Sequence, residues 1–271
     1  MCAATGTETV EDRRAEVAEG SRTSPEPLPA APARRIAAQA RFDARLMLRN
    51  GEQVLLTLLL PAILLVVLAR TQTPWLGPGH RIDVAVPGVL ALAVLSSAFT
   101  GQAIGTGFDR RYGVLRLLGT TPLGRSGLLA GRTLAVLVVV ILQTSVLGTL
   151  GLFLGWRPHL AGVLLAVPVL LLGVAAFVAL GLLLAGTVRA EAVLAVANLT
   201  WVLLLAGGGV VLPPDRLGPA AALARVLPSG ALADLLRSAL GAGRVDAFAL
   251  GVLACWTALA AVAVSRWFRW D

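Results

Sequence analysis

Residues that could perform acid–base, nucleophilic or metal chemistry are few in this 271-residue chain, and they are not grouped. The two histidines, His80 and His159, do not form the His-Glu-x-x-His pair that would hold zinc, and no Gly-x-Ser-x-Gly motif is present to activate a serine. Every one of the 23 residues counted as Lys or Arg is an arginine, so a phosphate-binding P-loop lacks its lysine. The sequence predicts no catalytic, metal or cofactor site. Any ATP and Mg²⁺ that drive this protein must be bound by another chain.

The segment 109–132, DRRYGVLRLLGTTPLGRSGLLAGR, combines charge with a short apolar pattern. After the charged triplet, a short helix could present Val114, Leu115 and Leu118 to a partner groove. Arg111 and Arg116 would flank that apolar face. The alternative is an ordinary positively charged loop at a membrane surface.

A second charged segment, 34–50, has the pattern of an amphipathic helix. Arg41, Arg45 and Arg49 form one stripe on a helical wheel, with apolar residues such as Met47 opposite. Such a helix suits the membrane interface, with its arginines toward anionic headgroups and its apolar face in lipid. Asp43 falls on the apolar side, and an arginine of the neighbouring loop is a candidate partner for it. A simple positively charged anchor is the alternative interpretation.

The elements that carry these segments follow from composition. Hydrophobic residues make up 57% of the chain and charged residues only 14%, against about a quarter charged in soluble domains. The chain is therefore a membrane protein, and its net charge of +8 indicates a membrane surface rather than nucleic acid. Six apolar segments have the length of a membrane-spanning helix: about 53–69, 84–104, 128–154, 160–186, 192–212 and 247–264.

The predicted fold is all-α, with six transmembrane helices and both termini in the cytoplasm. That orientation places sixteen arginines inside and seven outside, in agreement with the positive-inside rule. Residues 1–33 are acidic and then proline-rich, which predicts a disordered cytoplasmic tail before a six-span domain at 34–271. Between spans five and six, two short helices are expected at 217–226 and 231–240, with Ser229 as a possible N-cap of the second.

Ionisable residues are absent from the middle of the predicted spans. An ion-coupled carrier needs titratable or ion-binding groups near the midplane, so this class is disfavoured. The polar residues there are uncharged, and hydrogen bonds between helices are their simplest role. Asn198, Thr200 and Trp201 on span five are the candidates for contact with a transported substrate.

Two stretches resemble one family. FDRRYGVLRLLGTTPLGRSGLLAGRTLAVL is similar to the loop after span two in permease subunits of type-2 ATP-binding-cassette (ABC) exporters. LMLRNGEQVLLTLLLPAILLVVLA is similar to that family's entry into span one, with its mid-helix proline. The resemblance covers about residues 34–271 and implies an amphipathic elbow helix before span one. The family often has Glu where this chain has Asp109.

The resemblance implies a homodimer in a bacterial plasma membrane, powered by a separate cytoplasmic ABC ATPase. The ATPase would dock on the loop after span two, the coupling helix, and a hydrophobic or amphipathic substrate (a drug, natural product or lipid) would leave between the two copies. Asp109 and Arg110 would tie the loop to the elbow helix, at Arg41 or Arg45. The docking residues would be Asp109, Arg110, Arg111, Tyr112, Gly113, Val114, Leu115 and Leu118. An ion-coupled transporter and a non-transport scaffold or anchor remain the alternatives.

Overall fold

A computed structural model describes residues 30–70, 81–119, 123–212, 214 and 217–268. The chain divides into two units, Met1–Ala31 and Pro32–Asp271. Of the first unit, only Ala30 and Ala31 are described, so nearly all of the predicted disordered tail lies outside the described residues. The second unit begins with a helix at Pro32, two residues before the predicted start of the six-span domain at 34.

The described part of the second unit is helical. Its helices, in chain order, are α1 (Pro32–Arg49), α2 (Gly51–Arg70), α3 (Arg81–Val94), α4 (Gln102–Arg111), α5 (Val114–Gly119), α6 (Gly124–Phe153), α7 (Leu160–Thr187), α8 (Ala190–Gly207), α9 (Ala221–Val226), α10 (Pro228–Ala242) and α11 (Ala247–Trp267). A π-helical segment, Leu95–Gly101, joins α3 to α4, and a 3₁₀ turn, Gly218–Ala220, precedes α9.

Among the described residues, five helical stretches are long and apolar enough to cross a membrane. They are Arg81–Arg111, Ser126–Phe153, Leu160–Thr187, Ala190–Gly207 and Ala247–Trp267. Helix α2 adds a shorter apolar stretch, Thr57–Arg70, and carries Pro61 as the sequence indicated. The predicted all-α fold with six apolar spans is confirmed. No membrane-spanning form other than a helix or a closed barrel satisfies its backbone groups in lipid, which explains why the apolar segments fold this way.

The second span, formed by α3, the π segment and α4, is the centre of the bundle. It is the most buried of the spans: α3 packs against α2, α6 and α10, and α4 packs against α7 and α8. It also runs seven residues beyond its predicted end at 104, to Arg111. A single continuous span therefore connects the core of the bundle to the charged loop.

The segment between spans five and six is part of the core. Residues Gly218–Val226 and Pro228–Ala242 are two helical arms bent by 93°. Leu232, Leu235 and Leu236 on α10 are fully buried, as the predicted apolar face requires. The expected N-cap is wrong: Leu227 occupies that position, and Ser229 Oγ instead donates a hydrogen bond to Leu204 O at 2.7 Å.

Span five is shorter than predicted. Helix α8 ends at Gly207, whereas the apolar pattern extended the span to residue 212. Gly209 has a φ of +60°, which glycine adopts readily and which ends the helix. A Cβ at Gly208 would collide with Ser229 Oγ, so the glycine also allows α10 to approach the end of α8.

Substitution of Gly162 tests this packing. A Cβ at Gly162, near the start of α7, would collide with the carbonyl oxygen of Ala239 on α10. We expect Gly162→Ala to lower the unfolding free energy by about 1–3 kcal/mol, the usual range for overpacking. Gly251→Ala on α11 is the matched control, because nothing lies within 4 Å of its added Cβ. Thermal melting of both purified variants in detergent is the measurement. Equal melting temperatures would show that α7 and α10 are not held this closely.

Candidate docking site at the end of span two

The loop after span two is built by a glycine turn. Tyr112 N–H donates to Phe108 O at 2.9 Å, and Gly113 N–H donates to Arg110 O at 3.2 Å, which closes the last turn of α4. Gly113 then has a φ of +72°, a conformation that ends a helix and that glycine adopts without strain. Helix α5 begins at the next residue, so the chain changes direction at Gly113.

The outer side of this loop carries an aromatic and apolar surface. The rings of Phe108 and Tyr112 stack with centroids 6.4 Å apart and planes inclined by 13°. Tyr112 is 72% exposed and Leu117 71% exposed, and Arg111 and Val114 are exposed beside them. We call Arg111, Tyr112, Gly113, Val114 and Leu117 the docking surface. Exposed aromatic and apolar side chains with a flanking arginine are typical of a protein-binding patch.

One predicted docking residue is wrong. Leu115 is only 2% exposed, because α5 turns it toward the bundle while Val114 and Leu117, three residues apart, share the outer side. A partner cannot reach Leu115 without unfolding the loop. The side chain of Leu118 lies outside those described. Leu117, which was not among the predicted docking residues, takes the place of Leu115 on the surface.

The base of the loop is tied to span three. Asp109 forms an ion pair with Arg132 Nη2, and Arg132 Nη1 donates to Thr106 Oγ1 at 2.9 Å. Gln102 Nε2 donates to the carbonyl oxygen of Arg132 at 3.4 Å. Three side chains of α4, spaced along one face, therefore converge on one arginine near the start of α6. This clamp fixes the last two turns of span two against span three.

Arg110 ties the same turn to span four. Its Nη1 donates to Ala185 O at 2.7 Å and to Val188 O at 2.9 Å, at the C-terminal end of α7. A guanidinium at a helix C-terminus satisfies unpaired carbonyls and opposes the negative end of the helix dipole. The family resemblance predicts that Asp109 and Arg110 contact Arg41 or Arg45 on the elbow helix. The contacts that the structure shows for both residues go to α6 and α7 instead.

The elbow helix is α1. Arg41, Arg45 and Arg49 are exposed on it, with Phe42 and Leu46 exposed between them. The face expected to enter lipid packs against α6 instead: a Cβ at Gly131 would lie 2.8 Å from Gln39 Cγ, so the glycine permits close contact. The elbow helix is therefore attached to the protein along its inner face, and Phe42 and Leu46 lie on its exposed side.

Comparison with family models gives a match. The model described as ABC-2 type transporter matches residues 36–240, well over half of the chain. The chain belongs to the ABC-2 type transporter family. The resemblance drawn from the loop and the first span is thus confirmed, and the matched range includes the elbow helix, the docking surface and the clamp on Arg132. A search of curated proteins found no match.

As an ABC-2 permease, the chain is a multi-pass membrane protein. Its span five contains the three candidate substrate residues, which do not share one environment. Asn198 is exposed, while Thr200 and Trp201 are partly buried. Trp201 Nε1 donates to Ser96 Oγ at 3.1 Å, so this indole holds α8 to the π segment of span two. Asn198 is therefore the member of the three that faces outward.

The π segment also holds the permease's first and third spans. Ser97 Oγ donates to Gln143 Oε1 at 2.9 Å, and Gln143 Nε2 donates to Thr57 O at 3.3 Å. These bonds connect the π segment, α6 and α2 inside the bundle. Hydrogen bonds between helices are the simplest role predicted for the uncharged polar residues of the spans, and these contacts agree with that prediction.

A charged pair that the sequence did not single out lies at the other end of the permease. On α10, Arg237 Nη1 pairs with Asp234 at 2.9 Å, and Nη2 donates to Gly209 O at 2.9 Å and Val210 O at 2.6 Å. Arg237 thus binds the carbonyls just after α8. The available signal was an Asp and an Arg three residues apart in an otherwise apolar helix, a spacing that places both on one face.

Asp43 on the elbow helix is the buried acid of this region. Burial raises its pKa above the usual 3.8, and nearby Asp109 adds to the rise, while the hydrogen bond from Gln39 and the charge of Arg132 oppose it. Gln39 Nε2 donates to Asp43 Oδ1 at 3.0 Å. A carboxyl with a raised pKa stabilises the fold while it is neutral, and that stability is lost as pH rises through its folded-state pKa.

Asp43→Asn should therefore not destabilise the permease at neutral pH. In lipid-free detergent at pH 7 we expect it to melt at or above wild type, by up to about 3 °C, because asparagine carries no charge to desolvate. The difference should shrink as the pH is lowered from 7 and the carboxyl of Asp43 takes up its proton in the wild type. Melting curves of both proteins across this pH range check it. A variant that melts lower at pH 7 would mean that the charge of Asp43 is compensated within the fold.

Proposed function

We propose that this permease is the membrane subunit of an ATP-driven exporter in a bacterial plasma membrane, and that a separate ABC ATPase binds its docking surface. The observation that carries the proposal is the exposed Tyr112–Leu117 surface at the end of span two. An aromatic ring and a leucine, each more than two-thirds exposed beside an arginine, suit a groove on a soluble partner. The chain has no lysine for a P-loop, so the partner supplies the nucleotide site.

The contacts below the docking surface support transmission of movement. Asp109 binds the start of α6 through Arg132, and Arg110 binds the end of α7. Displacement of the loop by a closing ATPase would therefore move spans two, three and four together as a rigid group. Packed helices with hydrogen-bonded ends transmit such motion better than isolated surface charges do.

A second copy of the chain would complete the path of the substrate. Helix α8 is the least buried of the five long spans among the described residues. It presents a stripe of residues at helical spacing: Leu194, Asn198, Leu199, Val202 and Leu203. An asparagine in such a stripe is costly against lipid, but it can bond to another chain or to a substrate. The stripe supports a homodimer that moves a hydrophobic or amphipathic molecule along α8.

Co-expression with a candidate ATPase tests the proposal. We expect the permease, purified in detergent, to retain a soluble ABC ATPase encoded beside it, and to change its ATP hydrolysis rate. A reporter fused after Asp271 should be active in the cytoplasm only, as the arginine distribution requires. If no ATPase is retained, or if the reporter is active outside, the proposed coupling is wrong.

A further inference from the structure

Two cavities lie along one side of span two. The larger, of about 360 Å³, is at the end of the span that carries the docking surface, and we call it the loop cavity. The smaller, of about 40 Å³, lies beside the π segment, and we call it the span cavity. The elbow helix, span two and span three contribute to the walls of both, and α2 adds Thr57 to the wall of the span cavity.

The two cavities adjoin at Met47. Met47 of α1 and Gly101 of the π segment belong to the lining of both. Gly101 has no side chain, so in the described part of the chain Met47 is the one side chain that the two linings share. A methionine side chain has three rotatable bonds and adapts readily to its surroundings. Met47 therefore forms a constriction that can move.

The loop cavity has a polar wall and reaches the protein surface. Asp109 and Arg132 line it, and the side chain of Asp109 is 30% exposed. Asn50 and Gly105, which also line it, are exposed. Charged and amide groups cost free energy against hydrocarbon, whereas water supplies hydrogen bonds to them. A wall of this kind favours water over a lipid chain.

The span cavity brings hydroxyl groups to an open space inside the bundle. Ser96 and Ser97 line it, and both are partly exposed although they lie in the middle of the most buried span. Each takes part in one hydrogen bond, Ser96 with Trp201 and Ser97 with Gln143. A hydroxyl has one donor and two acceptor sites, so both serines can also bind water. The cavity has room for about three water molecules at ~10–15 Å³ each.

The span cavity is far from the end of the span. Ser97 precedes Asp109 by 12 residues, which is roughly 15–18 Å along the helix axis. That distance is about half of the ~30 Å of hydrocarbon in a bilayer. Water at this depth needs a path that hydrocarbon does not fill, and the adjoining loop cavity is such a path.

We propose that the loop cavity and the span cavity form one water-filled crevice, which opens at the docking-loop end of span two and narrows at Met47. Water in the crevice gives the serines of the π segment hydrogen-bond partners that lipid cannot supply. The polar wall of the loop cavity keeps lipid chains out of the entrance. The crevice requires neither an ATPase nor a particular orientation in the membrane, so its test is independent of the proposed export function.

Blocking of introduced thiols by silver ion tests the crevice. Cys2 and Cys255 are first replaced by serine, and the full-length chain is reconstituted in nanodiscs, which expose both membrane faces. Ag⁺ binds thiolates, but as an ion it does not enter hydrocarbon. Val139→Cys places a thiol in the wall of the span cavity, and Gly105→Cys places one in the loop cavity, where nothing lies within 4 Å of the added Cβ. Thiols that Ag⁺ has not blocked are alkylated after unfolding and counted by mass spectrometry.

Exposed neighbours outside the cavities are the matched controls. Val138 is next to Val139 on α6, is 47% exposed and lines neither cavity. Leu134, 43% exposed and two residues from Arg132 on α6, is the control for Gly105. We expect Ag⁺ to block each cavity thiol at least about tenfold faster than its control, because the control thiols face hydrocarbon. Equal rates for Val138→Cys and Val139→Cys would overturn the proposal, and so would blocking of Gly105→Cys alone.

Substitution of Met47 tests the constriction. Met47→Ala should speed the blocking of Val139→Cys several-fold, because it removes the side chain that the two cavities share. Met47→Phe should slow it, because the aromatic ring is larger and less adaptable. Neither substitution should change the blocking of Gly105→Cys, which lies on the entrance side. If the rate at Val139→Cys does not respond to either change, the two cavities are not joined at Met47.

The chain with its natural cysteines provides a second measurement if a cysteine variant does not fold, which size-exclusion profiles and melting curves show. Hydroxyl radicals formed by radiolysis of water oxidise methionine to its sulfoxide. In nanodiscs, Met47 should be oxidised several-fold faster than the methionine introduced by Val138→Met, since only Met47 lines the crevice. Equal protection of the two methionines would show that water does not reach the constriction and would contradict the proposal.

Discussion

Tyr112→Asp combined with Leu117→Asp should abolish retention of the ATPase partner while leaving the permease folded. Both side chains are more than two-thirds exposed, so the substitutions place charge on the docking surface without disturbing the bundle. An aromatic anchor and a leucine at the centre of an interface each contribute on the order of 1–2 kcal/mol. Their replacement by aspartate should weaken binding by about 30-fold to 1,000-fold. Co-purification from detergent and ATP hydrolysis by the complex are the measurements.

The control for this pair is Val245→Asp, an exposed apolar residue in the connection between α10 and α11. It should retain the ATPase at the wild-type level. Leu115→Asp is not informative, because Leu115 is buried and its loss would unfold the loop whatever the partner binds. Wild-type retention by a folded Tyr112→Asp/Leu117→Asp variant would remove the docking surface from the proposed mechanism.

Arg132→Ala should be the most destabilising single change at the site. It removes the partner of Asp109 and the donor to Thr106, and leaves a partly buried carboxylate without its ion pair. Loss of one member of such a pair lowers the free energy of unfolding by about 2–3 kcal/mol. Removal of both charges in Asp109→Asn/Arg132→Met should recover much of this loss, because no unpaired charge remains.

Thermal melting in detergent measures these effects, with Arg111→Ala as the control. Arg111 is an exposed neighbour at the end of α4, and its loss should change stability by no more than about 0.5 kcal/mol. The double variant should also show weaker coupling between ATP hydrolysis and the permease, since span two is no longer tied to span three. If Arg132→Ala melts like Arg111→Ala, the ion pair does not hold the loop base.

The sequence predicted the fold because apolar length is a direct physical requirement of the bilayer. The sequence also located the docking loop, since the charged triplet that begins at Asp109 and the glycine at 113 mark the end of an apolar span. The sequence could not decide which of Leu115 and Leu117 is exposed on the docking surface. Helix α5 has six residues, fewer than two turns, so a periodic pattern cannot define which side faces the bundle.

The contacts within the site were harder to predict from the sequence than the location of the site. Asp109 and Arg132 are 23 positions apart, and their pairing depends on how spans two and three pack, which no local pattern specifies. Asp43 was visible as an acid on an apolar face, but its surroundings come from three different helices. In each case the residue type gave a usable signal, while the partner was set by tertiary packing.

The π segment of span two has a geometric consequence for the permease. Seven residues, Leu95–Gly101, wind more loosely than an α-helix between two α-helical halves of the same span. Each residue of an α-helix advances the chain by about 100° around the helix axis. The π segment therefore sets the direction in which Asp109 lies around that axis relative to Gly88, which is in the other half of span two. Loss of one residue from it would turn the docking loop by roughly that angle while the other half of span two stayed in place. The π segment is thus the point at which one half of span two can turn relative to the other. Trp201 and Gln143 form hydrogen bonds with span two at this segment.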